Sequence, residues 1–154
     1  MRITIVTVGK LKSGPEHELA EDYLDRFRKA GRNLGYRSAE CVEVDNGGGL
    51  DAEAERLLAK IPAGAQAIRL DEFGKSYRST AFSDMLIKLR DEGTPDLCFL
   101  IGGAEGYGDA VKAAVPQSMA FGVQTWPHRL VRAMLAEQLY RAASIEAGLP
   151  YHKA

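Results

Sequence analysis

The stretch TWPHRLVRAMLAEQLYRAASIEAGLPYHKA, residues 125–154, gathers His128, His152, Tyr151, Arg129, Arg132, Arg141 and the sole tryptophan, Trp126. Histidine titrates near neutrality and passes protons; tyrosine stacks or hydrogen-bonds; arginine holds phosphates or orients bases. Together these groups suit proton transfer beside an anionic or aromatic ligand. Arg129 and Arg132 lie in the first turns of an expected helix, where the helix dipole disfavours cations. They would suit a phosphate there, and equally they would suit solvent. Glu137 and Arg141 stand i, i+4 in the favourable order and would serve as a plain helix-surface ion pair.

A second candidate is FLIGGAEGYG, residues 99–108. Gly102 and Gly103 directly follow an apolar run and would let backbone approach a ligand with no Cβ in the way. The glycine spacing is not that of a dinucleotide loop, no Gly-Lys-Ser/Thr follows, and Glu105 would repel a phosphate. By spacing alone the loop is either a ligand cradle or a plain turn. No nucleophile motif of the G-x-S-x-G kind is present, and neither Cys41 nor Cys98 has a histidine near it in sequence. Metal spacing such as H-x-x-x-H is absent, so no metal is expected. His17 belongs to the first helix and is expected in solvent.

Composition bounds the readings. A chain of 154 residues with 45% apolar content suits one domain, 1–154, with a real core. Its net charge of −1 excludes a general attraction for nucleic acid; DNA is not expected as a partner, and RNA needs a local patch or a second partner. Two cysteines without framework spacing point to a reducing compartment. No run reaches the roughly 18 apolar residues of a membrane helix. The start, MRITIVTVGK, resembles a first strand rather than a signal peptide. The cytoplasm is the expected location, with no membrane partner.

The elements that must position these groups alternate. Strands are expected over Arg2–Val8, 39–44, 66–71, Asp96–Ile101 and 119–124, each β-branched or apolar. A helix follows Ser13 and Glu16, which fit a capping box, with Leu19, Tyr23 and Phe27 on its apolar face. Further helices are expected over 50–61, 80–90, 109–115 and 127–147. The first of these carries Leu50, Ala54, Leu57 and Ile61 on one face. The last carries Val131, Leu135, Leu139, Ala142 and Ile145, widened by Met134, for core or dimer packing. Pro127 suits a first helical turn, and Gly148 with Pro150 makes a sharp stop. The polar stretch 72–79 is expected to be a loop. Such alternation predicts an α/β fold with an open, mostly parallel sheet flanked by helices, its ligand crevice beyond the carboxyl ends of the strands.

Three blocks in order, LDEFGKSYRS at 70–79, FLIGGAEGYG at 99–108 and the segment 125–154, resemble the bacterial ribosomal RNA large subunit methyltransferase H family of the SPOUT superfamily. The combination LIGG-x-EG, PH-x-LVR, E-x-LYRA-x-SI and PYH carries the resemblance, which covers the whole chain. It implies an S-adenosylmethionine-dependent methyltransferase acting on N3 of a pseudouridine in 23S rRNA of the assembled 70S ribosome. It also implies a homodimer whose terminal helices pack across the interface, and a C-terminal trefoil knot. Cofactor contacts are implied at Leu70, Gly102, Phe121, Gly122, Val123, Gln124, Thr125 and Trp126. His128, Arg141, Tyr151 and His152 are implied to face the target nucleotide, and either histidine or a neighbouring cation would deal with the N3 proton. Departures from the family are Ala104 where relatives often have proline, Trp126 for a usual leucine or methionine, and an acidic, glycine-rich 45–49 where many relatives are basic. Alternative readings are another nucleotide-binding transferase and a non-catalytic ribosome-binding module.

Overall fold

Six of the seven residues of RITIVTV are buried in the first strand, β1 (Arg2–Val8), so this run is a core strand and not a half-solvated one. The computed structural model of the chain describes residues 1–153; Ala154, the end of the expected domain, lies outside the described residues. After β1 come α1 (Pro15–Gly31), a 3-10 turn at Arg32–Leu34, β2 (Ser38–Val44), α2 (Leu50–Ala59), β3 (Gln66–Ser76), α3 (Ser79–Asp91), β4 (Asp96–Ile101), α4 (Asp109–Ala114), β5 (Ser118–Ala120) and α5 (His128–Ala147).

The strands form one sheet in the order β2-β1-β4-β3-β5, and every pairing is parallel. β4 sits in the middle and is buried along its whole length, as a strand covered on both faces must be. One face packs Ile3, Ile5, Ile68, Phe99 and Ile101 against α1, α3 and α5. The other packs Val6, Val8, Cys98 and Leu100 against Ala54, Leu57, Val111 and Val115 of the α2 and α4 side. All the strands therefore present their carboxyl ends at one edge of the sandwich. β1 and β4 are neighbours whose outgoing connections lead to opposite sides of the sheet, to β2 and to β5, and they make the topological switch point there.

Several expectations are corrected. The capping box does not form: Gly14 occupies the cap position, Pro15 opens the helix, and no side chain caps it. Proline presets the first helical turn, which moves the start past Ser13. The buried face of α1 is Ala20, Leu24, Phe27 and Gly31, while Leu19 is 45% exposed. β3 runs to Ser76 instead of ending at Asp71, because Lys75 and Ser76 resume pairing with β5 after a break in register. Gly74 makes this possible: a Cβ there would stand 2.7 Å from the backbone of Met119. β5 stops at Ala120, and residues 121–124 form bends. On α5 the buried face adds Ala133, Ala136, Ala143 and Ser144 to Leu135, Leu139 and Ala142, whereas Val131, Met134 and Ile145 are only half-buried. Small residues on that face let α1 pack closely across it. Gly148 does end the helix, as expected, in a left-handed cap.

Candidate active site

The loops leaving β3, β4 and β5 enclose a cavity of about 340 Å³. Tyr107 ties the first two together. Its hydroxyl accepts the Gly102 N–H at 3.0 Å and lies 2.7 Å from the Leu100 carbonyl and 2.9 Å from that of Leu70, to which it donates. Burial above all raises this phenol far beyond the usual tyrosine range, so it remains a donor. Gly102 must be glycine: an added Cβ would stand 2.9 Å from the Gly106 carbonyl and 3.1 Å from the Tyr107 ring.

The segment after β5 closes the cavity from the far side. Thr125 donates its hydroxyl to the Glu72 carboxylate. Trp126 Nε1 donates to the Phe121 carbonyl at 2.9 Å, so the indole locks residues 121–126 into a closed turn. Leu70, Gly102, Phe121, Gln124 and Trp126 line the cavity. Gly122, Val123 and Thr125 belong to the same turn but do not line it, and Val123 is 96% exposed at its tip. Opposite, Phe73 stands 88% exposed in the stretch of β3 where its register with β5 breaks. The lining carries the carboxylates Asp71, Glu72 and Glu105 beside Lys112. Asp71 also holds Arg69 at 3.3 Å and accepts the Phe73 N–H at 3.0 Å, which shapes this rim.

His128 opens α5 and lines the same cavity. Burial first, then the charges of Arg129 and Arg132, lower its pKa, so the imidazole is neutral at physiological pH and can accept a proton. It also lines a second cavity, of about 470 Å³, at the β1–β4 switch point with Gly9, Lys10, Asp45, Gly103 and Arg129. The two spaces share the glycine loop and meet at this histidine.

The first-turn arginines part company. Arg129 is exposed, but Arg132 is only 5% exposed and donates to Glu43 at 2.9 Å and to the Gly9 carbonyl at 3.4 Å. Arg132 is thus neither solvated nor free for phosphate.

Arg141, Tyr151 and His152 form a separate cluster. Arg141 gives Nε at 3.0 Å and Nη2 at 2.5 Å to Glu137, and its Nη1 lies 3.2 Å from His152 Nδ1. Tyr151 donates to the same Glu137 oxygen at 2.8 Å, packs tilted against the Tyr140 ring at 4.6 Å between centroids and lies under the Arg141 guanidinium at 4.7 Å. The Glu137–Arg141 pair is therefore the centre of a bonded group and not an isolated surface pair. The thirteen residues from His128 to Arg141 span about 20 Å of helix, at 1.5 Å per residue. Within the chain the cluster does not line either cavity.

Sequence reading passed over Tyr107 and the organising part of Glu137. Tyr107 was marked only by its place between two glycines, and Glu137 only by its spacing from Arg141. Burial pushes the Cys98 thiol up to about 12 and that of Cys41 to about 11, so neither is a ready nucleophile. Among the described residues no group of His, Cys, Asp or Glu side chains is arranged to hold a metal ion.

Residues 1–152 match the family model described as "Predicted SPOUT methyltransferase". The chain is 60% identical over 154 residues, spanning 100% of both chains, to the ribosomal RNA large subunit methyltransferase H of Hyphomonas neptunium. It is 50% identical over 155 residues, 99% of each chain, to the protein of that name from Dinoroseobacter shibae. With the one from Rhodopseudomonas palustris it shares 48% identity over 160 aligned positions, 100% of each chain.

Proposed function

Because the chain belongs to the SPOUT methyltransferase family, we propose that it is an rRNA methyltransferase that uses S-adenosylmethionine to methylate N3 of a pseudouridine in 23S rRNA. The observation that carries this reading is the pair of cavities meeting at His128, one walled by Gly102 and Trp126, the other open at the switch point.

The first cavity fits the cofactor by size and by charge. Its volume is within the usual range for small-molecule sites. The flat Trp126 indole and Leu70 suit an adenine; the Gly102 N–H and the Phe121 carbonyl are engaged by Tyr107 and Trp126, so its hydrogen bonds would come from other main-chain groups of the same loops. The acidic lining of Asp71, Glu72 and Glu105 attracts a sulfonium and an amino group and repels the phosphates of ATP or NAD. Bound there, S-adenosylmethionine supplies an electrophilic methyl group. Leu70, Gly102 and the turn 121–126 hold and orient it, and such positioning provides much of the rate. Lys10 and Arg129 in the second cavity suit the phosphates of the nucleotide. His128 Nδ1 or Nε2, neutral and facing both spaces, takes the N3 proton.

The protein acts as a homodimer in this reading. His128 and the Arg141 cluster lie about 20 Å apart along one helix, so a second copy is needed to bring both to one nucleotide. The half-buried Val131, Met134 and Ile145 supply apolar surface for that contact. The proposal includes the trefoil knot, with 121–127 as the threaded segment held by the Thr125–Glu72 bond. A net charge of −1 gives little grip on naked RNA, which favours the assembled 70S ribosome in the cytoplasm as the partner.

The test is methyl transfer from labelled S-adenosylmethionine to 70S particles and to free 23S rRNA, with mass spectrometry of the product nucleoside. A methylated pseudouridine formed on 70S particles, and far more slowly on free rRNA, is expected. No label transfer to either, or tighter calorimetric binding of ATP or NAD than of S-adenosylmethionine, would overturn the proposal.

A further inference from the structure

We infer that His152 is held in one tautomer, with a bare Nδ1 and a proton on Nε2, so that it gives a hydrogen bond to the target base instead of taking the base's proton. The meaning of that bond rests on the proposed methyl transfer; the tautomer itself does not.

The Arg141 Nη1 lies 3.2 Å from His152 Nδ1. A guanidinium only donates and stays charged at any physiological pH. Nδ1 must therefore accept, with its lone pair turned to the arginine. A neutral imidazole with one bare nitrogen carries its hydrogen on the other, so Nε2–H is the donor that remains. A proton on Nδ1 would point at the arginine's own N–H.

Arg141 is not free to turn away. Its Nε and Nη2 both donate to Oε1 of Glu137, and the same oxygen accepts the Tyr151 hydroxyl at 2.8 Å. The other Glu137 oxygen accepts Gln138 Nε2 at 2.8 Å, which fixes the carboxylate itself. Tyr151 is held in turn by the Tyr140 ring and by the Tyr23 hydroxyl at 3.4 Å. Glu137 is thus a positioning residue: it sets Arg141 and Tyr151, and these set the residue that follows Tyr151. Losing the N3 proton places negative charge on the two carbonyl oxygens beside N3. A fixed N–H aimed at one of them stabilises that charge without reorganising. The proton goes elsewhere, to His128 in the scheme above.

Nitrogen-15 NMR of the labelled wild-type protein tests the tautomer with no variant and no RNA. His152, assigned by its loss in His152→Gln, should show Nδ1 at the limiting unprotonated shift and Nε2 at the limiting protonated shift. Reversed shifts, or the average of two exchanging tautomers, would overturn the inference. In Arg141→Met and in Glu137→Ala the two shifts should move toward each other, and Glu137→Gln, which keeps an acceptor oxygen, should restore them. Shifts unmoved by Glu137→Ala would remove its positioning role. Single-turnover methylation of 70S particles tests the use of the donor. His152→Gln keeps an amide N–H near the Nε2 position but cannot act as a base; it should stay within about tenfold of wild type, while His152→Ala falls by roughly 10²–10³-fold. Equal losses in the two variants would mean that His152 works as a base. A wild-type protein that methylates nothing would sink the proposed function and leave the spectrum to decide the tautomer.

Discussion

Tyr107→Phe removes one oxygen from the place where the end of β4 meets β3, and its consequences follow from the geometry. The hydroxyl accepts the Gly102 N–H and shares its single proton between the carbonyls of Leu100 and Leu70. Phenylalanine keeps the ring and its packing, so no cavity larger than one oxygen opens. What is lost is one accepted and one donated hydrogen bond, each leaving a buried group without a partner at a cost of about 1–3 kcal/mol. Their sum is about 2–6 kcal/mol, and at roughly 2–4 °C per kcal/mol for a chain of this size the melting point should fall by roughly 4–24 °C. The loss is centred on Gly102, so the cofactor cavity should loosen as well, and a cost of about 1.4 kcal/mol there would weaken S-adenosylmethionine binding tenfold. Scanning calorimetry measures the first effect and titration calorimetry at 25 °C the second, with circular dichroism to check that the variant is folded. Because burial keeps the phenol protonated, neither effect should depend on pH around neutrality. A variant with wild-type melting point and wild-type affinity would refute the idea that this hydroxyl holds the site together.

Other changes test separate parts of the structure. Gly102→Ala would force a Cβ to within 2.9 Å of the Gly106 carbonyl, so the loop must shift; the protein should fold but bind S-adenosylmethionine roughly ten- to a hundredfold more weakly by calorimetry, a cost of about 1–3 kcal/mol. Glu43→Gln leaves the buried Arg132, whose Nε already lacks a partner, without its counter-charge. It should cost about 3 kcal/mol in urea unfolding, and the apolar double change Glu43→Leu with Arg132→Met should recover much of that. His128 has a folded pKa below its ordinary 6.5, so on acidification the unfolded chain takes up the proton first. The stability present above pH 6.5 should therefore decline as pH falls through that value and level off below the folded pKa, and His128→Gln should remove this part of the decline from urea midpoints measured against pH.

Much of the scaffold was legible because it rests on local chemistry. RITIVTV and DLCFLI are β-branched and apolar runs of strand length, and β1 and β4 take the bounds their composition implies. Pro127 and Gly148 flank α5 because one presets a first turn and the other adopts the left-handed cap. Where a remote partner decided the outcome, local reading failed. The polar stretch after Asp71 looks like a loop, yet it continues as strand because Gly74 lets the β5 backbone come against it. Arg132 looks solvated, yet Glu43 from β2, far away in sequence, makes its burial tolerable. At Ser13 the competing signal was local instead: it fits a capping box, but Pro15 begins the helix after it.

The same division holds for the candidate site. The residue types, their order and the glycines that let backbone close in are written in the chain itself, because side-chain chemistry and backbone freedom belong to single residues. Only the tertiary structure decided who meets whom. It joined Leu70, Gly102 and Trp126 around one cavity, placed His128 between two cavities, and set Arg141, Tyr151 and His152 on a Glu137 hub some distance down the helix. Those contacts depend on how strands distant in sequence stack side by side, and on long-range hydrogen bonds whose geometry no spacing along the chain encodes.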